Sequence, residues 1–229
     1  MDTLREVATW FLIFLAYSCL GWFIELTATF IQHHRIYNRG FLIGPICPIY
    51  GVGAVLASLI FSSIDQIWLI FLLCTVGGGV LEYLTSFWME ACFHVRWWDY
   101  RDEPFNINGR TCLGAMLGIG LLGVLVIEFF TPAMLSFLGG FSEVAVLVVA
   151  AILLAILLID LTWSLILILH FRVAAGTVEA DATAEISKNI RNVMMERSKL
   201  DRRLAKAFPN LEVSHKKPRK KSDQKSRSK

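Results

Sequence analysis

No pair of cysteines is spaced for metal binding. Cys19, Cys47, Cys74, Cys92 and Cys112 are scattered, with neither a C-x-x-C pair nor a disulfide-like pattern, so they read as small apolar residues. Three catalytic signatures are also missing: a Walker P-loop, a G-x-S-x-G elbow and an H-E-x-x-H zinc motif. No cofactor is therefore expected. Charge is scarce as well, at 18% of 229 residues against 55% hydrophobic, with mean hydropathy +0.57. That balance excludes an ordinary soluble domain.

The long apolar runs carry the fold reading. Spans near Val7 to Ile31, Gly44 to Ser63, Ile67 to Cys92, Leu113 to Phe130 and Val144 to His170 each approach the roughly 20 residues that cross a bilayer core. The expected class is all-α, an integral membrane helical bundle of about five transmembrane helices. The first run carries Glu25 near its end and lacks a small-residue cleavage site, so it reads as a retained helix.

Loop charge sets the expected orientation. His33, His34, Arg35 and Arg39 follow the first run, and Arg96, Arg101 and Arg110 follow the third. Arg172 and the tail follow the fifth, whereas Asp65 and Glu143 mark the other two connections. By the positive-inside rule the N-terminus lies outside, and the first and third loops and the C-terminus are cytoplasmic, in a bacterial plasma membrane.

The basic excess belongs to the end of the chain. His215 to Lys229 holds 8 Lys or Arg against Asp223 alone, leaving 14 basic and 18 acidic residues elsewhere. Three regions follow: a transmembrane domain over 1–175, an amphipathic cytosolic helix over 176–209 and a disordered basic tail over 210–229. Membrane lipids are the expected neighbours. Nucleic acid is not an expected partner, because a basic tail also serves as a solvated topology signal.

Ionisable groups within apolar spans are costly and commonly face a cavity or a partner. Glu25, Glu82 and Asp160 qualify, and all three fall in the inner half of the bilayer. Tyr17, Gly21, Glu25 and Gln32 share one stripe of the first helix; Thr75, Gly78, Glu82, Ser86 and Glu90 share one of the third. The stripes are expected to face each other around a cytosol-facing polar cavity. The plainer alternative is that the carboxylates pair with Arg39, Arg96 or Arg110 and only fix helix packing.

Two prolines and several glycines between Gly40 and Gly53 suggest an irregular, substrate-facing entry to the second helix. Pro45 is expected to open the helix and Pro48 to interrupt its first turns. Gly114 and Gly118, with Gly120 and Gly123, give the fourth helix a small-residue packing face. Trp97, Trp98, Asp99, Asn106, Asn108 and Arg110 crowd the third loop, with Asn38 and Arg39 in the first, as candidate substrate-binding groups. The rings of Trp97, Trp98 and Tyr100 also suit the headgroup level without binding anything.

A short internal match accompanies these features. Gly21 to Glu25 resembles Gly78 to Glu82, and Asn38-Arg39-Gly40 resembles Asn108-Gly109-Arg110, as in a parallel repeat about the membrane normal. Two such matches also arise by chance.

Longer stretches carry a family likeness: Tyr17 to Glu25, Asn38 to Gly51, Leu81 to Ser86, Arg96 to Tyr100 and Phe105 to Arg110. Across Trp10 to Phe130 the chain resembles the ABC-transporter type IV permease family of bacterial membrane proteins. The resemblance implies a transmembrane subunit working with a separate ATPase subunit, and a chain of this size suggests a homo-oligomer. An enzyme acting on a lipid or polyprenyl headgroup at the inner interface is the alternative, and a membrane scaffold is a third reading.

Overall fold

The computed structural model describes residues 3–33, 41–93 and 96–176. Candidate residues Asn38 and Arg39, the amphipathic segment beyond Gly176 and the basic tail lie outside these residues.

The described chain is an all-α membrane bundle with one small β-hairpin. Its helices are α1 (Thr3–His33), α2 (Pro48–Phe61), α3 (Ile67–Phe93), α4 (Leu113–Leu125), α5 (Thr131–Gly139) and α6 (Glu143–Gly176). In hydrocarbon each backbone N–H and C=O needs an internal partner, so long apolar runs settle as helices. Four stretches are long and apolar enough to span: Thr3–Ala28, Ile67–Phe93, Leu113–Gly139 and Glu143–Ile166.

Two expected boundaries need correction. The second apolar segment forms a helix of 14 residues, about 21 Å at 1.5 Å per residue and shorter than a bilayer core of about 30 Å. Pro48, not Pro45, occupies its first turn, where a missing N–H costs no helical hydrogen bond. Residues 41–47 run irregularly ahead of it.

The fourth span does not end at Phe130. A π-helical turn, Val126–Phe130, joins α4 to α5, and the Thr131 N–H donates to the Val126 carbonyl five residues back. Pro132 has no N–H to offer the preceding turn, and widening that turn lets the helix continue to Gly139.

Helices α1 and α2 form one antiparallel hairpin, and α3 and α4 form another. Their packing repeats residue for residue. In the first, the Ser18 hydroxyl donates to the Phe14 carbonyl at 2.7 Å, and Gly51 of α2 presses against both residues. In the second, the Thr75 hydroxyl donates to the Phe71 carbonyl at 2.7 Å, and Gly120 of α4 presses against both. Gly21 lies under Tyr50, the residue before Gly51; Gly78 lies under Ile119, the residue before Gly120. The short sequence match thus extends to a shared packing register.

One end of the bundle gathers the start of α1, the α2–α3 turn and the α5–α6 turn. There Arg5 donates to the Phe141 carbonyl at 3.1 Å, and Ala8 packs with Val146 and Ala150. The opposite end carries residues 41–47 and the 96–112 loop. That loop closes on β1 (Asn106–Ile107) and β2 (Thr111–Cys112), paired antiparallel. Asn108 and Gly109 both have positive φ, 53° and 67°, and the Arg110 N–H donates to the Ile107 carbonyl at 3.0 Å. This is the two-residue hairpin turn that an Asn-Gly pair favours.

Candidate functional site

Towards the loop end, each hairpin contributes a glutamate with a tyrosine partner. Glu25 sits one turn beyond Gly21 on α1, and the absence of a side chain at Gly21 lets the Tyr50 ring lie on the helix. The Tyr50 hydroxyl then donates to Glu25 Oε1 at 2.6 Å. Glu82 sits one turn beyond Gly78 on α3. Its carboxylate accepts from the Tyr100 hydroxyl at 3.1 Å and from the Thr111 hydroxyl of β2.

The two pairs are electrostatic neighbours. Tyr100 is held well above the ordinary phenol range, first by burial and then by the charge of Glu82, its acceptor, with Glu25 adding to the effect. A tyrosine so placed stays protonated and donates to carboxylate. Tyr50 and Tyr100 are the members that residue-level reading missed. From the sequence Tyr100 suits an interfacial ring.

Arginine is not what neutralises these glutamates among the described residues. Arg96 and Arg110 turn instead to Glu90, two turns beyond Glu82, at 3.2 Å and 3.0 Å. Arg110 also lies over the Tyr83 and Phe87 rings, 5.7 Å and 5.4 Å from their centroids. A weaker contact at 3.4 Å reaches the Ser86 hydroxyl.

The remaining loop candidates hold the loop itself. Asp99 bonds Arg101 at 2.6 Å and Arg96 at 3.5 Å. Burial opposes its charge, but the bonds and charge of Arg101, aided by Arg96, outweigh that and keep its pKa below the ordinary value. The Trp98 indole N–H donates to the Arg110 carbonyl at 2.8 Å, and the Asn108 amide donates to the Tyr83 hydroxyl at 3.0 Å. Asn106 donates to the Glu103 carbonyl at 2.8 Å and accepts from the Gly109 N–H at 3.1 Å. The Trp97 ring lies tilted against Phe41 and edge-on to Phe93.

Asp160 works apart from the glutamates. From α6 it accepts the backbone N–H groups of Ile43 at 3.0 Å and Gly44 at 2.9 Å; the Ser164 hydroxyl also accepts from the Ile43 N–H at 3.1 Å and donates to Asp160 at 3.4 Å. A side chain at Gly44 would meet the carboxylate at 2.9 Å. Asp160 thus anchors the irregular segment that leads into α2. Asp160→Ala is expected to cost about 1–3 kcal/mol, chiefly because the partly buried Gly44 N–H loses its acceptor. Amide exchange at Gly44 should accelerate at least about tenfold, in line with that loss. Unchanged exchange there would show that the carboxylate does not hold the segment.

Comparison with curated proteins and with solved structures gives no match. A family model does match, across residues 12–165, and its description is "Putative ABC-transporter type IV". That interval takes in both hairpins, the loop between α3 and α4, and Asp160 on α6. With most of its length inside the match, the chain belongs to this ABC-transporter type IV family.

Proposed function

We propose that this protein is the permease-like subunit of a transporter, with Glu25, Glu82 and their tyrosine partners lining a polar, cytosol-facing part of the solute route. The observation that carries this reading is the repeated hairpin, whose two copies bring a carboxylate to equivalent positions near one end of the bundle. Transporters commonly place a site between such repeats. Membership of the family supports a separate ATPase as partner and membrane lipid as surroundings.

Loop charge orients the proposal. The end with Arg96, Arg101 and Arg110 faces the cytoplasm of a bacterial cell, and the end with Asp65 and Glu143 faces outwards. Five crossings then place the N-terminus outside, with the short α2 and its irregular lead-in completing one of them. Asn38 and Arg39 belong to the same cytoplasmic side in this arrangement. A small bundle of this kind gains a fuller pathway as a homo-oligomer.

Binding of a lipid or polyprenyl headgroup by the loop arginines is the weaker reading. Arg96 and Arg110 are already matched by Glu90, and Arg101 by Asp99.

Affinity purification of the full chain from its own membranes, followed by reconstitution, tests the proposal. The expected result is an ATPase in stoichiometric amount and ATP-dependent solute flux. Glu82→Gln should reduce that flux at least about tenfold, as loss of a charge-assisted contact of about 1.4 kcal/mol or more implies. Preparations with neither an ATPase nor flux would overturn the transporter reading. A lipid retained by the wild type and lost in Glu25→Gln and Glu82→Gln would favour the enzyme.

A further inference from the structure

The π turn changes the depth of one side chain. A span ending at Phe130 would leave Glu128 beside the headgroups, but the helix runs on to Gly139, eleven residues past it. At about 1.5 Å per residue, Glu128 lies about 16 Å in from that end, near the middle of a stretch about 40 Å long.

Its neighbours fix which way it faces. Ile127 is buried against Ile70 and Cys74, and Thr131 bonds Tyr17 and Ser58 in the interior. Glu128 and Phe129 turn away from the bundle and are exposed, as are Leu121 two turns before and Leu135 two turns after. Among the described residues Glu128 has no hydrogen-bond or ion-pair partner.

A carboxyl group among lipid tails is costly, and such groups settle against protein. The chain offers no cation to meet it: Lys, Arg and His are absent from 6–32, 41–93 and 113–169. Nor do the exposed faces of α3 and α6 offer a polar group at that depth. Val76 and Val80 of the one and Leu154 and Ile156 of the other, at about the same distance from that end, are exposed and apolar. The group that matches in both depth and chemistry is Glu128 of a second copy. In its neutral form a carboxyl group carries both a donor and an acceptor, so two of them satisfy each other.

We infer that the protein dimerises through this face, with α4 and α5 of one copy against those of its partner and the two Glu128 carboxyl groups hydrogen-bonded to each other. Copies inserted under one charge rule share one orientation. A twofold axis between them therefore runs along the membrane normal and brings each residue of the face to its equivalent at equal depth. A ring of three or more copies would set Glu128 against an apolar face instead. Leu121, Phe129 and Leu135 flank the pair and exclude lipid. The inference gives the homo-oligomer of the transporter reading its surface, and it rests on that reading only for its purpose.

Energy transfer between labelled full chains measures the dimer, in vesicles of phosphatidylethanolamine and phosphatidylglycerol diluted stepwise with lipid. Glu128→Gln, which keeps a donor and an acceptor, should dimerise as tightly as the wild type. Glu128→Leu should weaken dimerisation about tenfold, the order that a polar contact between membrane helices supports, while still giving a monodisperse monomer. Added cysteines locate the face. In native membranes under oxidation, Leu121→Cys should give a cross-linked dimer above the background of the unsubstituted chain, and Leu154→Cys should not.

A wild-type chain that stays monomeric before dilution, a Glu128→Leu dimer as tight as the wild type, or cross-linking at 154 in place of 121 would overturn the inference. Loss of the dimer in Glu128→Gln as well as Glu128→Leu would overturn it too, because charge and not a carboxyl hydrogen bond would then hold the copies. A dimer that moves no solute would leave the inference standing and sink the transporter reading alone.

Discussion

Gly51→Leu and Gly120→Leu are each expected to prevent recovery of a folded, monodisperse protein. A Cβ added at Gly51 would lie 2.4 Å from the Phe14 carbonyl oxygen and 2.2 Å from the Ser18 hydroxyl. One at Gly120 would lie 2.1 Å from the Thr75 hydroxyl and 3.0 Å from the Phe71 carbonyl oxygen. The hydroxyls are committed to those carbonyls, and helix backbone cannot move aside without parting the hairpin. Overpacking typically costs about 1–3 kcal/mol and sometimes more. A four-carbon side chain against backbone belongs at the upper end, and beyond it in a protein whose total stability is about 5–15 kcal/mol.

The same helices supply the comparison. Gly77, Gly114 and Gly118 have nothing within 4 Å of an added Cβ. Alanine at each should leave the thermal midpoint in detergent unchanged or raise it, by up to about 1 kcal/mol of helix propensity per site. Size-exclusion recovery after heating measures both sets. If Gly51→Leu and Gly120→Leu survive heating as well as Gly114→Ala does, the repeated glycine interlock is not what holds the hairpins.

The second large effect is expected at Glu90. Glu90→Ala should destabilise the protein by about 1–3 kcal/mol, because two partly buried cations lose a shared carboxylate. Arg110 suffers most: only 13% of its side chain is exposed, against 24% for Arg96, and it is enclosed by Tyr83 and Phe87. Arg110→Met in the Glu90→Ala background should restore much of the stability, since an apolar side chain suits that aromatic bed. A midpoint for Glu90→Ala equal to wild type, or no recovery in the double variant, would show that the ion cluster carries little of the loop's stability.

How far the site was legible in the sequence varies residue by residue. Glu25 and Glu82 stood out because a carboxylate in an apolar run needs a partner, but the kind of partner did not. Arginine is the plainer alternative that the sequence offers; with Arg39 outside the described residues, the hydrogen-bond partners seen are Tyr50 and Tyr100, brought in by a fold that joins residues distant in sequence. Asp160 was grouped with the glutamates by depth alone, whereas its partners are backbone N–H groups of a segment more than a hundred residues earlier. The Asn108-Gly109 turn carried a local signal of its own, since an Asn-Gly pair suits positive φ.

Boundaries followed the same rule. The third helix fell where its apolar run predicts, because hydrophobic length decides a span in lipid. The fourth overran its predicted end, because a proline stops a helix only when the preceding turn cannot widen, and here Val126–Phe130 does widen.

What the sequence determined by itself is therefore the all-α membrane class, the long apolar helices and the family, since these depend on hydrophobic length and on local words in the chain. The tertiary structure alone decided which groups answer each carboxylate of the apolar helices, that the two hairpins share one packing register, and that Asp160 anchors the segment ahead of α2. The physical reason is range. Helix formation in lipid is settled within a few turns, whereas a buried carboxylate takes whichever donor the packing of distant helices brings within hydrogen-bond reach.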